Sequence, residues 1–193
     1  MNRDQAYEIL TTLVKNENLI KHHLACEASM MGIYSWIQKS KDLPIDKKEQ
    51  EKWGIVGLLH DADYELTKGH PEKHTLVLKE KVGNRMPDDI MYAIASHNSK
   101  YSKLLPTSFM DWAIVCCDEL TGLIIAAALI LPDKKLASLD KNFILKRFNE
   151  KSFAKGADRK TIEQCEKHLD IPLNDFIRIV LLAMQNIAPS LGL

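Results

Sequence analysis

An all-α fold is predicted for this 193-residue chain by three observations. Apolar residues recur at three- and four-residue steps, as in Ala6, Ile9, Leu10 and Leu13, and again in Leu24, Ala28, Met31 and Ile33. That spacing lines one face of an α-helix. No stretch alternates apolar and polar residues for long, as a half-buried strand would. Glycine and proline fall between the periodic segments, at Pro44, Gly69 with Pro71, Gly83 with Pro87, Pro106, Pro132, Gly156 and Pro172, where they end helices.

Taken in order, helices are read over 3–15, 18–39 and 46–61, the third carrying the apolar run from Trp53 to Leu59. The next three begin with recognisable start signals: 71–82 at Pro71 and Glu72, 87–97 at Pro87 with Asp88 and Asp89, and 108–131 at Ser108 with Asp111 three residues on. Proline, acid or a capping hydroxyl suits the free N–H groups and positive dipole end of a helix. Helices over 140–150, 159–169 and 173–188 complete the chain. Lys134 and Lys135 break the apolar pattern between Pro132 and Asp140. Residues 1–132 are therefore read as the core bundle and 133–193 as a helical extension packed on it, within what the length suggests is one domain.

Lysine plus arginine and aspartate plus glutamate each number 26, so no global field draws the chain to nucleic acid or anionic lipid. A nucleic-acid polymer and a membrane are accordingly not expected as partners, and an anionic small molecule has to be recognised locally. The start Met-Asn-Arg-Asp-Gln-Ala-Tyr lacks the apolar core of a secretory signal, and a cytoplasmic protein is expected. The apolar stretch Leu123–Leu131 is about half the length of a bilayer span and reads as a buried helix. Cys26, Cys116, Cys117 and Cys165 form no Cys-x-x-Cys pair and read as small core hydrophobes in a reducing compartment.

The chemistry is concentrated in a few polar residues set into apolar helices. His60 and Asp61 end the apolar run from Trp53, beside the core, where an ionised carboxylate is costly unless paired or bound to metal. Asp118 and Glu119 are the only charged residues between Ala113 and Leu131. His22, His74 and His97 fall one to a predicted helix, so separate helices can project imidazoles into one cavity, as bundle metal sites require. Imidazole with carboxylate suits manganese, iron, zinc or nickel better than calcium. His23 competes with His22 for the first position. His70 and His74 lie four apart, but His70 precedes Pro71, which disfavours helical geometry there, so a loop or capping role is read for His70.

The order His, His-Asp, His, His, Asp resembles the HD superfamily of metal-dependent phosphohydrolases. Lys21-His22-His23-Leu24-Ala25-Cys26-Glu27-Ala28 resembles the helix bearing the first ligand, and Gly57-Leu58-Leu59-His60-Asp61-Ala62-Asp63-Tyr64-Glu65 the signature helix end. Ser96-His97-Asn98 and Asp118-Glu119-Leu120-Thr121-Gly122-Leu123 are similar to the later histidine and final aspartate. Ser152–Arg159 is similar to a small prokaryotic subgroup of predicted HD hydrolases. The resemblance implies an HD-domain-like helical bundle binding two divalent ions (manganese, iron, zinc, nickel or magnesium). His22, His60, Asp61 and Asp118 would hold one ion, and Asp61 would bridge to a second held by His74 and His97, with His60 and Asp61 at the catalytic centre.

Around that centre, Asp63, Glu65 and Glu119 are candidates for orienting the imidazoles. Lys68, Lys100 and Arg159 are candidates for binding substrate phosphate. His23 is otherwise read as partly exposed, His168 as a surface residue near a helix end, and Trp36, Trp53 and Trp112 as core. The leading expectation is hydrolysis of a nucleotide or other small phosphoester by water activated at two metals. The alternatives are a di-iron oxygenase of the same fold and a non-catalytic, metal-stabilised module that binds a ligand.

Overall fold

A computed structural model describes residues 1–193, and every regular element in it is helical. The helices are α1 (Arg3–Leu13), α2 (Glu17–Ser40), α3 (Lys47–Leu59), α4 (Tyr64–Thr67), α5 (Leu76–Val82), α6 (Asp88–His97) and α7 (Ser99–Ser102). There follow α8 (Phe109–Leu129), α9 (Lys141–Asn149), α10 (Arg159–Ile162), α11 (Gln164–Leu169), α12 (Leu173–Asn186) and α13 (Ala188–Leu191). Side-chain caps begin several of them. Asn2 and Gln5 form a capping box on α1, Ser108 and Asp111 another on α8, and Asp46 accepts from the first turn of α3; each satisfies N–H groups that have no partner within the helix.

Helices α2 and α8 form the spine. Helix α2 packs against α3, α8 and α12, while α6, α10 and α11 pack on α8. Arg3 clamps α1 to α2 by donating from Nε and Nη2 to the Glu27 carboxylate at 2.6 and 3.0 Å. One hydrophobic core runs through the molecule and includes both Ala6 of α1 and Leu191 of α13, so the C-terminal helices share the apolar interior of the N-terminal ones. Helix α8 is long and apolar enough to cross a bilayer, a longer apolar element than Leu123–Leu131 suggested. Its residues Ala113, Ile114, Leu120, Leu123 and Ile124 are fully buried among the other helices, which accounts for its composition.

The crossing of α2 and α3 sets up the site. A Cβ added at Gly57 would lie 2.5 Å from the Cys26 carbonyl oxygen and 2.7 Å from the Glu27 nitrogen. Only glycine lets the two backbones touch there. His60 follows Gly57 by three residues and His22 precedes Cys26 by four, so this contact brings their rings together, with centroids 5.2 Å apart.

The expected helix over 71–82 is broken. Pro71–Lys73 is a single 3₁₀ turn, His74 and Thr75 leave helical geometry, Thr75 taking φ 71°, and α5 begins at Leu76. The cause is Asp63, whose carboxylate accepts from the backbone N–H groups of Thr75 at 3.2 Å and Leu78 at 2.8 Å. That capture by a residue distant in sequence overrides the local pattern, and His74 sits on a linker instead of a helix. The short helices α4 and α7 were also not anticipated, and the expected helix over 159–169 is split into α10 and α11.

Candidate metal centre

Each imidazole is held by its Nδ1. His60, fully buried just past the end of α3, donates from Nδ1 to the Gly57 carbonyl at 2.9 Å. His97, in the last turn of α6, donates likewise to the Ile94 carbonyl. His74 on its linker donates to Asp63 Oδ1 at 2.7 Å. Carbonyls and carboxylates only accept, so the hydrogen resides on Nδ1 and each neutral ring presents a bare Nε2 lone pair. For His22, Nδ1 faces Thr121 Oγ1 at 3.5 Å, a hydroxyl that itself donates to the Asp118 carbonyl at 2.8 Å.

Those Nε2 atoms face one another and two carboxylates. His22 Nε2 lies 3.3 Å from His60 Nε2 and 3.1 Å from Asp118 Oδ1, and His60 Nε2 lies 3.5 Å from the same oxygen. A second triangle is formed by Asp61 Oδ1, 2.9 Å from His74 Nε2 and 3.2 Å from His97 Nε2, with the two nitrogens 3.1 Å apart. Asp61 joins the triangles, because its Oδ2 lies 3.7 Å from His60 Nε2.

Lone pairs set against lone pairs at such distances repel unless a cation lies among them. With metal–nitrogen bonds of about 2.0–2.1 Å, two donors on one ion are about 3.0 Å apart in octahedral and about 3.4 Å apart in tetrahedral geometry. The donor separations of 2.9–3.7 Å bracket those edges. The two clusters are able to hold metal ions, and the donor chemistry, neutral imidazole with carboxylate, fits them.

In the metal-free chain protons take the cations' place. Burial pushes the imidazole of His60 down, but the Asp61 charge and the bond to Asp118 overcome it and raise His60 to about 10. Burial also opposes protonation of His74, and its bonds to Asp61 and Asp63 raise it to about 9. Burial pushes the carboxyl of Asp118 up, yet hydrogen bonds from His22 and His60 hold it well below the usual carboxylate range. Asp61 is likewise held low, against its burial, by His60 and by bonds from His74 and His97. The carboxylates thus favour positive charge among them.

All six residues expected as ligands lie in these two clusters or bridge them. The residues expected around them divide. Asp63 is fully buried and bonded to His74. Glu65 and Glu119 touch no imidazole. Glu65 accepts from the Lys15 backbone N–H at 2.6 Å and Glu119 from that of Asp158 at 2.8 Å, so both brace loops against the site's helices. Lys68 is exposed and lines a cleft of about 240 Å³ with Tyr64, Thr67, Gly69, Pro71 and His74. Lys100 is exposed and lies over the Tyr101 ring.

Arg159 is already committed. Its guanidinium donates to the carbonyls of Phe148, Phe153, Ala154 and Ala157. It organises the 148–157 segment, and those donors are not free for a phosphate. His70 is exposed beside Glu72, its Nδ1 3.3 Å from Oε1. His168 is half-buried, stacked on Trp112 at 3.6 Å.

His23 requires correction: it is not partly exposed but fully buried, with neither ring nitrogen bonded. Burial, then the charges of His60 and His22, hold it well below the ordinary histidine range, so it is a neutral ring in the wall of the site. Cys26, read as core, is buried in the first cluster, its Sγ 3.8 Å from His22 Nε2. Its i, i+4 spacing from His22 was the available signal, since such residues share a helix face. Comparison of the chain with protein-family models, with curated proteins and with solved structures found no match.

Proposed function

We propose that this protein is a metal-dependent hydrolase of small phosphoesters, of the HD type that its sequence resembles, acting on a nucleotide or related phosphorylated metabolite. The observation that carries the reading is the pair of donor triangles joined through the one Asp61 carboxylate. Two bound divalent ions would supply Lewis acidity toward phosphoryl oxygens and lower the pKa of a water nucleophile. Manganese, iron, zinc, nickel and magnesium are the ions to test.

The chain's own residues do the holding and shaping. His22, His60 and Asp118 would grip one ion and His74 and His97 the other, with Asp61 offering one oxygen to each side. Asp63 fixes the hydrogen of His74 on Nδ1, leaving Nε2 free to donate its lone pair. Tyr64, with its ring edge-on to His74 at 6.4 Å between centroids, and Lys68 form the cleft beside the second triangle. Lys68 is the cation best placed to meet a substrate phosphate. The cleft, of about 240 Å³, sets Tyr64 and Lys68 beside His74.

The test is release of phosphate by chelator-stripped protein reloaded with each ion, across phosphomonoesters, nucleotides and cyclic dinucleotides. Turnover is expected to require metal and to vanish in His74→Ala and Asp61→Asn. Protein with both ions bound and no turnover on any of these would overturn the assignment. Substrate-dependent oxygen uptake by the iron-loaded form would put the di-iron oxygenase in its place.

A further inference from the structure

The two triangles are not equivalent, because a sulfur stands beside only one of them. Cys26 lies one turn beyond His22 on α2 and is fully buried. Its Sγ is within 4.8 Å of the donor atoms of His22, His60 and Asp118, and Thr121 Oγ1 lies 3.5 Å both from it and from His22 Nδ1. Cys116, Cys117 and Cys165 are also buried but do not belong to either cluster.

We propose that Cys26 is a further protein donor to the position shared by His22, His60, Asp118 and one oxygen of Asp61, making it a nitrogen, oxygen and sulfur site beside a second site of nitrogen and oxygen alone. The inference rests on the reading that metal ions occupy this centre. On a five-coordinate ion with metal–sulfur bonds of about 2.3 Å and metal–nitrogen bonds of about 2.0–2.1 Å, sulfur and nitrogen stand about 3.1 Å apart at a right angle and about 3.8 Å apart at about 120°. Sγ to His22 Nε2 is 3.8 Å, at the wider of those separations. Coordination requires the thiolate: the proton leaves to solvent as the sulfur–metal bond forms, and no electron changes hands.

His60 is fully buried, and the His23 ring, itself without a hydrogen-bond partner, closes one wall with its centroid 5.3 Å from that of His60. A soft donor selects zinc or cobalt over magnesium and manganese. The Asp61–His74–His97 position, without sulfur, takes harder ions. The chain is therefore expected to carry unlike ions, a sulfur-bound one on the α2 side and a harder one beside the Lys68 cleft.

The experiment is a cobalt(II) titration of the full-length, chelator-stripped protein, with bound cobalt counted by elemental analysis. A near-ultraviolet sulfur-to-cobalt charge-transfer band is expected with the first equivalent, lost in Cys26→Ser and kept in Cys117→Ser. Cobalt bound without such a band, or a band that survives Cys26→Ser, overturns the proposal while leaving the two-metal reading intact. Failure to bind cobalt or any other divalent ion overturns both. Should Cys26→Ser not fold, zinc-edge X-ray absorption of the unmodified protein decides: a sulfur scatterer supports the proposal and a shell of nitrogen and oxygen alone refutes it.

Discussion

Replacing Asp63 with asparagine tests how the centre is held, because the two side chains have nearly the same shape. The carboxylate is fully buried and accepts three hydrogen bonds: at Oδ1 from His74 Nδ1 and the Thr75 N–H, at 2.7 and 3.2 Å, and at Oδ2 from the Leu78 N–H at 2.8 Å. An amide has only one accepting atom. In its better orientation the oxygen keeps His74 and Thr75, and the NH₂ group then faces the Leu78 N–H. A bond to a charged acceptor contributes about 1.5–3 kcal/mol and a stranded buried donor costs about 1–3 kcal/mol. The variant should therefore lose about 3 kcal/mol, which for a domain of this size lowers Tm by about 6–12 °C. The same change should weaken the ion held by Asp61, His74 and His97 about 10–100-fold and leave the other ion in place. Thermal melts of stripped protein and metal titration against a competing chelator measure the two effects. A variant that binds two ions with parental affinity and melts within about 2 °C of the parent would refute this account of Asp63.

Three further outcomes are expected. His60 and His74 are raised to about 10 and about 9, so their stabilising contribution to the metal-free fold is complete below about pH 6.5. It declines above that and is gone once pH passes their folded values, while the share carried by Asp61 and Asp118 is lost only in acid, as their depressed carboxyls protonate. Stripped protein should thus melt lower at pH 9.5 than at pH 6, and metal binding near neutrality should release protons, visible as a dependence of the binding enthalpy on the buffer; a melt that rises over that interval contradicts the protonated-site picture. Gly57→Ala drives a Cβ to 2.5 Å from the Cys26 carbonyl oxygen, forcing α2 and α3 apart at a cost of about 3 kcal/mol and weakening metal retention with it, and a melt unchanged from the parent would show that the crossing is looser than described. His23→Leu removes two buried, unpartnered nitrogens and should stabilise the chain by about 1–2 kcal/mol, raising the denaturant midpoint; a clear loss of stability would mean that His23 has a partner in solution.

The all-helical class and most helix limits were legible in the chain itself, because helix formation is decided by neighbours within a turn or two: apolar spacing, caps such as Ser108 with Asp111, and proline or glycine at the ends. That His22, His60, Asp61, His74, His97 and Asp118 belong together was also suggested by the chain, through a resemblance to a known ligand pattern. Their meeting was not, since it depends on how helices cross, and the crossing of α2 on α3 turns on the missing Cβ of Gly57. The same dependence on distant contacts explains the departures. Asp63 holds the Thr75 N–H outside the expected helix and caps the restarted one at Leu78, leaving His74 on a linker, and Arg159 spends its donors on nearby carbonyls. Burial of His23 and the placing of Cys26 among candidate metal donors follow from which face of α2 the other helices cover. A one-residue step along a helix turns a side chain by about 100°, so neighbours as alike as His22 and His23 become a candidate ligand and a wall only when the partner helices have docked.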